Sequence, residues 1–360
     1  MKLIHIGDLH LGKSFHKINL IDNQRHVLQQ IVGLMRVHKA NLVIAGDVFD
    51  SANPSLEAQE LFLEFAQQVR EACRACDLHC WITVGNHDSV RRLMLFKEFL
   101  KPEIDIIEDV ETVEYDGVKL CLMSFVKPVL AEMRFGKTFD SYSDAFNAYL
   151  TDVADKEHTT LVIHQSVENC TTGKSEAMTF FDDAILLKDV KNYALVLAAH
   201  IHKKQKVGDN VYYSGSLLPY AFGDSYSYDV RIWDIQSDGT YTYEDHPITI
   251  LHDLQVVKGN LQHCLSVADT GAFVKVELID NDVTPEFAIA ELKVHFKNLI
   301  TVTSGVKDTW EADLNKPTSQ FASFEEAVDS FCSQIDIPEF TAEQKAIIVE
   351  VANEIKELAH

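Results

Sequence analysis

The sequence predicts an α/β fold, a sheet covered by helices, on three observations. Short, wholly apolar runs alternate with helical patterns through the first two hundred residues. Of the 360 residues, 46% are hydrophobic, enough for a large core and more than one domain. Several of the apolar runs also end abruptly in Gly-Asp, Gly-Asn or His, as strands do when they deliver side chains to one edge of a sheet.

In chain order, residues 2–6 (KLIHI) form a strand and 21–39 an amphipathic helix, followed by a strand at 41–46. A second helix covers 56–76, opening after Pro54 and Ser55, and CWITVG follows as a strand. VETVEY and VKLCLMSF, joined at Asp116-Gly117, form a β-hairpin. Buried strands lie at 159–164 and 194–199. Beyond 224, DVRIWDI and TYTYEDHPI have the look of antiparallel strands.

Domain boundaries are expected at 1–250, 251–307, 308–322 and 323–360. The second is a small α+β unit with strands at LQVVKG, FVKVELID and LITVTS and a helix opening at Thr284-Pro285, Thr as cap and Pro in the first turn. The polar stretch with Pro317 is the linker. In the tail, Ser323 with Glu326 and Thr341 with Gln344 have capping-box spacing. Ile348, Val351, Ala352, Ile355 and Leu358 make one apolar stripe. With nine acidic and two basic residues over 323–360, a net of −7, these helices either pack on their own domain or dock on another protein.

No apolar run approaches the roughly 20 residues that span a bilayer, and the start lacks an export signal, so a cytoplasmic location without membrane attachment is expected. Seven cysteines, an odd number, suit free thiols in a reducing compartment. Cys73, Cys76 and Cys80 have the spacing of half a zinc site, but no second half exists. Placed on one face at a helix end, they are expected to be small buried apolar residues. The net charge of −23 argues against a surface that coats nucleic acid generically. A local site remains open to a chain whose metal ions or basic partner supply the positive charge.

Five strand ends carry the chemistry. The runs end in Asp8 and His10, in Asp47 and Asp50, in Asn86, His87 and Asp88, in His164, and in His200 and His202. Taken singly, an Asp after Gly is turn chemistry and a His at a strand end is a solvated side chain. Together they offer carboxylate, amide and imidazole donors without thiolate, a set that suits Mn²⁺, Fe²⁺ or Zn²⁺. Seven of these side chains, two carboxylates, one Asn and four His, exceed one ion and suit two that share a carboxylate. Such a pair, roughly 3.5–4 Å apart, clamps a phosphorus centre for in-line displacement. Asp50, three residues beyond Asp47, is expected to hold one ring nitrogen of His87 with its carboxylate.

The segments GDLHLG, GDVFD, GNHD, VIHQS and HIH resemble the calcineurin-like metallophosphoesterase family. AGDVFDSANP, GNHDSVRR and VYYSGSLLPYAF are similar to its DNA nuclease subunits that act with an SMC-type ATPase. The resemblance is specific over 1–224 and weaker beyond. It implies a four-layer αββα sandwich with a small α+β capping domain and C-terminal helices. It implies that Asp8, His10 and His202 hold one ion, that Asn86, His164 and His200 hold the other, and that Asp47 bridges. His87 would meet the scissile phosphate, with Mn²⁺ as the metal. It further implies a homodimer within a heterotetramer, with the small domain positioning DNA and the tail binding the ATPase. One departure is Ala199, where the family usually has Gly, and another is Lys203-Lys204, where a basic-Pro pair is common.

Lys13, His16, Arg91, Arg92, Lys203 and Lys204 follow ligand motifs and are the candidate phosphate contacts; each also reads as an ordinary solvated side chain. Three functions are compatible with these residues. A DNA exonuclease and endonuclease leads. A two-metal phosphodiesterase or phosphatase for a small molecule has no use for the extra domain and tail. A non-catalytic scaffold is disfavoured because no ligand position is lost.

Overall fold

The computed structural model describes residues 1–304 and 311–313, apart from 17, 174, 176–183, 225–227 and 280–282. The expected linker and C-terminal helices, 308–322 and 323–360, lie almost wholly outside the described residues. Met1–Glu311 form one compact unit.

The chain opens with β1 (Lys2–Ile6), the short hairpin β2 (Ser14–Phe15) and β3 (Ile18–Asn19), then α1 (Ile21–His38) and β4 (Asn41–Ala45). After α2 (Leu56–Cys76) come β5 (Cys80–Thr83), α3 (Val90–Leu100) and β6 (Ile104–Ile107). The second half of the sandwich is built from β7 (Val110–Tyr115), β8 (Val118–Met123), α4 (Pro128–Phe135), α5 (Tyr142–Tyr149) and β9 (Thr159–His164). α6 (Leu187–Val190), β10 (Leu195–Ala199), β11 (Gln205–Val207) and β12 (Val211–Tyr213) complete it. β13 (Asp229–Ile235) and β14 (Tyr241–Pro247) then return to the first half.

Two six-stranded sheets result, ordered β14-β13-β1-β4-β5-β6 and β11-β12-β10-β9-β8-β7. The central strands β4, β5, β9 and β10 are buried along their whole length because both faces of each sheet are covered there, and successive residues point opposite ways. Leu42 and Ile44 of β4 pack with Val27, Ile31, Leu61 and Phe65 of α1 and α2, whereas Val43 and Ala45 face the other sheet. In β10, Leu195, Leu197 and Ala199 face the first sheet, and Val196 and Ala198 pack towards Phe146 of α5. The architecture is a helix, sheet, sheet, helix sandwich, the αββα fold that the motifs implied. Among the described residues, no helix is long and apolar enough to cross a membrane.

The helix starts follow local chemistry. Ser55 accepts the Ala58 amide and caps α2, and the hairpin between β7 and β8 turns at Asp116 (φ 50°) and Gly117 (φ 73°). Cys80 corrects the expectation of a three-cysteine helical face: only Cys73 and Cys76 lie in α2, and Cys80 opens β5 because Asp77 ends the helix in the left-handed region. Burial pushes the Cys73 thiol up to about 12, as a core residue requires.

Beyond β14, β15 (Leu254–Gly259), α7 (Leu261–Ser266), β16 (Phe273–Leu278), α8 (Pro285–His295) and β17 (Leu299–Ser304) build a small parallel sheet with two helices. Pro285 sits in the first turn of α8 as expected, but Thr284 makes no capping bond with its side chain. Phe273 and Ile300 join the core under α1, and Asn23 exchanges two hydrogen bonds with the His252 backbone.

His5 is an imidazole buried in β1, with its Nε2 unpaired and Arg231 opposite it in register. Burial, helped by the Arg231 and Lys204 charges, pushes its pKa from 6.5 down to about 3. Between these values the unfolded chain binds a proton that the folded protein refuses, so stability falls as pH drops through this window. Urea titrations at pH 7 and pH 5 should show wild type losing about 2 kcal/mol more than His5→Leu over that step.

Candidate metal centre

Three loops of the first sheet and two strand ends of the second meet at one edge of the sandwich. Asp8 and His10 follow β1, Asp47 and Asp50 follow β4, and Asn86 and His87 follow β5. His164 is the last residue of β9, and it pairs in register with Ala199, directly before His200. Asp8 (φ 52°), His10 (φ 43°), Asp47 (φ 50°) and His200 (φ 91°) are left-handed without being glycine. Each such conformation costs about 1–3 kcal/mol and persists only where neighbours enforce it.

The neighbours are main-chain bonds between loops. The His10 amide donates to the Asp47 carbonyl (3.0 Å), Leu11 to Val48 (2.9 Å) and Asp50 to Leu11 (3.2 Å). The buried Asp88 carboxylate, which the sequence alone left without a role, accepts amides of Val48 (3.1 Å), Phe49 (2.9 Å) and Gly85 (2.9 Å). It thereby ties the second loop to the third. Burial, aided by the Asp47 charge, raises Asp88 to about 6 in spite of those three donors. Gly85 is required for a steric reason: a Cβ there would lie 2.1 Å from Asp47 Oδ1.

The donor atoms form two groups. In the first, His10 Nε2 and His202 Nε2 are 3.0 Å apart, and Asp8, His10 and His202 offer ligand atoms mutually within 4.8 Å. In the second, Asn86 Oδ1 is 3.0 Å from His164 Nε2 and 2.9 Å from His200 Nδ1. Asp47 Oδ2 lies between them, 3.6 Å from His10 Nε2 and 3.4 Å from His164 Nε2. Donor separations of this size are the edges of a polyhedron whose metal–ligand bonds are about 2.1 Å long. The His200 amide donates to both Asp8 oxygens (3.0 and 3.1 Å), linking the first strand end to the last.

His164 Nδ1–H donates to the Ala45 carbonyl (2.7 Å), so its Nε2 is the ring atom that faces the Asn86 oxygen and Asp47 Oδ2, two acceptors that either a proton or a metal ion on Nε2 satisfies. Burial opposes a second proton on His164, yet the Asp47 and Asp8 carboxylates outweigh it and raise the pKa to about 9. Burial keeps His10 and His202 neutral, and burial with the His164 charge drives His200 to about 3. Burial alone would favour the acid form of Asp47, but His164, His10 and His87 hold it well below the usual carboxylate range. Neutral imidazoles and an ionised carboxylate are the forms that bind metal, so an ion bound here would displace the second His164 proton.

Two of the expected roles change. His87 Nδ1 donates to the main-chain carbonyl of Asp50 (2.8 Å), so the Asp50 carboxylate does not orient this ring. That carboxylate instead pairs with Lys13 (2.8 Å) and sits 3.4 Å from His10 Nδ1, and these partners pull its pKa down to about 2 against its partial burial. Asp50→Asn should therefore raise the divalent-metal concentration needed for half-maximal activity by about 10–100-fold. At saturating metal, kcat should stay near wild type, because the His87 tautomer is set by backbone; a collapse of kcat there would restore the carboxylate to that role.

Lys204 is the second change. It is ion-paired with Asp229 and with Asp245 (2.8 Å), and Asp245 also takes Arg231, which anchors the end of the His200–His202 loop to β13 and β14. The other candidate contacts differ. Lys13 borders the donor groups through Asp50, and the His16 ring meets Phe15 edge to face and lies tilted against Phe222. Arg91 and Arg92 are exposed at the start of α3, and Lys203 reaches Thr171 (3.2 Å).

Ala199 is accommodated by Gly7. A Cβ on Gly7 would fall 2.4 Å from the Ala199 methyl, so the methyl occupies space that glycine leaves across the sheet interface. The turn itself is made by His200, while Ala199 remains regular strand.

A sheet sandwich with carboxylate, amide and imidazole donors at its strand ends defines a metal-dependent phosphoesterase. The family model for calcineurin-like phosphoesterases matches residues 1–204, and the chain belongs to that family. Among curated relatives, the SbcD component of nuclease SbcCD from Staphylococcus epidermidis is 24% identical over 330 residues, 86% of each chain. The protein of the same name from Staphylococcus saprophyticus is 26% identical over 282 residues, 74% of this chain and 73% of its own. A solved archaeal phosphodiesterase is 16% identical and covers 68% of this chain and 99% of its own, with a TM-score of 0.33.

Proposed function

We propose that this chain is the nuclease component of an SbcCD-type complex, hydrolysing DNA phosphodiester bonds with two divalent ions, Mn²⁺ in the first place. The observation that carries the reading is Asp47 Oδ2 lying between two donor groups, each containing two imidazoles. Asp8, His10 and His202 would hold one ion, Asn86, His164 and His200 would hold the other, and Asp47 would serve both. Bound there, the ions supply Lewis acidity that activates water and offsets charge on the phosphate oxygens.

The chain's own groups do the rest. His87 is exposed, and its Nδ1–H is engaged by the Asp50 carbonyl, so Nε2 is the ring atom presented to substrate. At that atom it contacts the scissile phosphate and moves a proton to the leaving oxygen. Its amide donates to Asp47 Oδ1 (2.9 Å), which keeps the imidazole in fixed relation to the shared carboxylate. Lys13, His16, Arg91, Arg92 and Lys203 supply the phosphate contacts, and Lys204 acts from behind the loop.

The nuclease names of the relatives favour DNA over a small ester. On this reading 251–307 cap the cleft and position DNA. The tail 323–360 binds an SbcC-type SMC ATPase, and two copies of each chain assemble as a heterotetramer. The complex works in the cytoplasm as a double-strand exonuclease and a single-strand or hairpin endonuclease in DNA repair, recombination and replication.

The test sets linear duplex and hairpin DNA beside bis-(p-nitrophenyl) phosphate, with Mn²⁺, Mg²⁺ and Zn²⁺, with and without the ATPase. DNA degradation that the ATPase stimulates is expected. Turnover of the small ester with intact DNA in every condition would make the protein a small-molecule phosphodiesterase.

A further inference from the structure

Tyr220 lies outside every ligand motif, yet it touches two of the proposed ligands. Its ring meets that of His10 at 5.4 Å and 88° and that of His202 at 5.3 Å and 70°, with the two imidazoles 4.9 Å apart. Its buried hydroxyl donates to the Leu9 carbonyl (2.8 Å) and lies 3.3 Å from that of Asp8. Gln24, buried on α1, completes the hold. Its amide donates to the His10 (2.7 Å) and Leu9 (3.2 Å) carbonyls, and its Oε1 accepts the Gly12 amide (3.1 Å).

The carbonyls so held belong to the turn in which Asp8 and His10 are left-handed, and such a turn relaxes unless its surroundings over-determine it. The other donor group has separate support. His164 is fixed by the Ala45 carbonyl, and the Phe125 ring packs near both His164 (6.1 Å) and His200 (5.7 Å).

We infer that Tyr220, assisted by Gln24, is the positioning residue of one metal position only, the one bounded by Asp8, His10 and His202. The inference rests on the two-ion reading above. Outer partners of metal ligands contribute about 10–100-fold in affinity, by fixing ring orientation.

The metal-free full-length chain is titrated with Mn²⁺ by calorimetry, with electron paramagnetic resonance reporting whether the ions are coupled. Wild type should take two equivalents and show a coupled pair. Tyr220→Leu should keep one equivalent near wild-type affinity, weaken the other by about 10–100-fold, and show isolated Mn²⁺ at low loading. Tyr220→Phe, which keeps the ring and loses the hydroxyl, and Gln24→Leu should weaken that same equivalent by less. Both equivalents weakening together, or neither changing, overturns the inference. Should circular dichroism show Tyr220→Leu unfolded, the other two variants decide by the same criteria. A wild-type stoichiometry below two overturns the two-ion reading on which it stands.

Discussion

On the proposed assignment, His87→Ala should lower kcat on a phosphodiester by about 10²–10⁴, the usual worth of a positioned proton donor, and leave two equivalents of Mn²⁺ bound. The separation of the two effects follows from geometry. The imidazole is exposed, and its Nδ1 is spent on the Asp50 carbonyl. It is tied to the donor groups by its backbone amide, which alanine retains, and by an edge contact with the His10 ring at 4.8 Å. The measurement pairs steady-state kinetics at saturating Mn²⁺ with metal content after dialysis. One ring nitrogen lies within 4.8 Å of donor atoms of His10 and Asp47, so loss of an equivalent would make His87 a ligand and move the proton to another group. An unchanged kcat would remove it from the chemistry.

Asp47→Asn behaves differently, because one oxygen faces both donor groups and the other accepts the His87 amide. Substituting a neutral amide removes the charge that holds two positive centres together. The expected result is loss of at least one Mn²⁺ equivalent and a fall in kcat/KM of about a thousandfold or more, equivalent to several kcal/mol of charge stabilisation. The side-chain volumes are nearly equal, so the fold should survive, and circular dichroism checks it. Two tightly bound equivalents in Asp47→Asn would deny the shared position of this carboxylate.

Much of this was legible in the sequence, and the reason is local. A strand that is apolar on both faces appears as an uninterrupted run, and whatever follows it stands out, so Asp8, Asp47, Asn86, His164, His200 and His202 could be found without coordinates. The hairpin at Asp116-Gly117 and the cap at Ser55 are likewise short-range signals.

What escaped is what sequence distance conceals. A run that is apolar on both faces does not say to which of two sheets it belongs, and β1, β4 and β5 lie in one sheet and β9 and β10 in the other. A main-chain carbonyl has no letter, so the sequence credits the Asp50 side chain with a contact its backbone makes. Lys204 looks like a rim cation because its partners, Asp229 and Asp245, are 25 and 41 residues away. Tyr220 sits 210 residues from His10, and only the folded chain brings them together.

The division of ligands between sheets has a mechanical consequence. On the proposed assignment, one ion takes Asp8 and His10 from the first sheet and His202 from the second. The other takes Asn86 from the first sheet and His164 and His200 from the second. Each would therefore be a rivet through the seam that Val43, Val162 and Leu197 close by apolar contact and that the His164–Ala45 and His200–Asp8 hydrogen bonds already cross. Filling either position at a hundred times its dissociation constant adds about 2.7 kcal/mol to the folded state. A chelator should therefore do more than silence the enzyme: it should lower the temperature at which the two halves of the sandwich come apart.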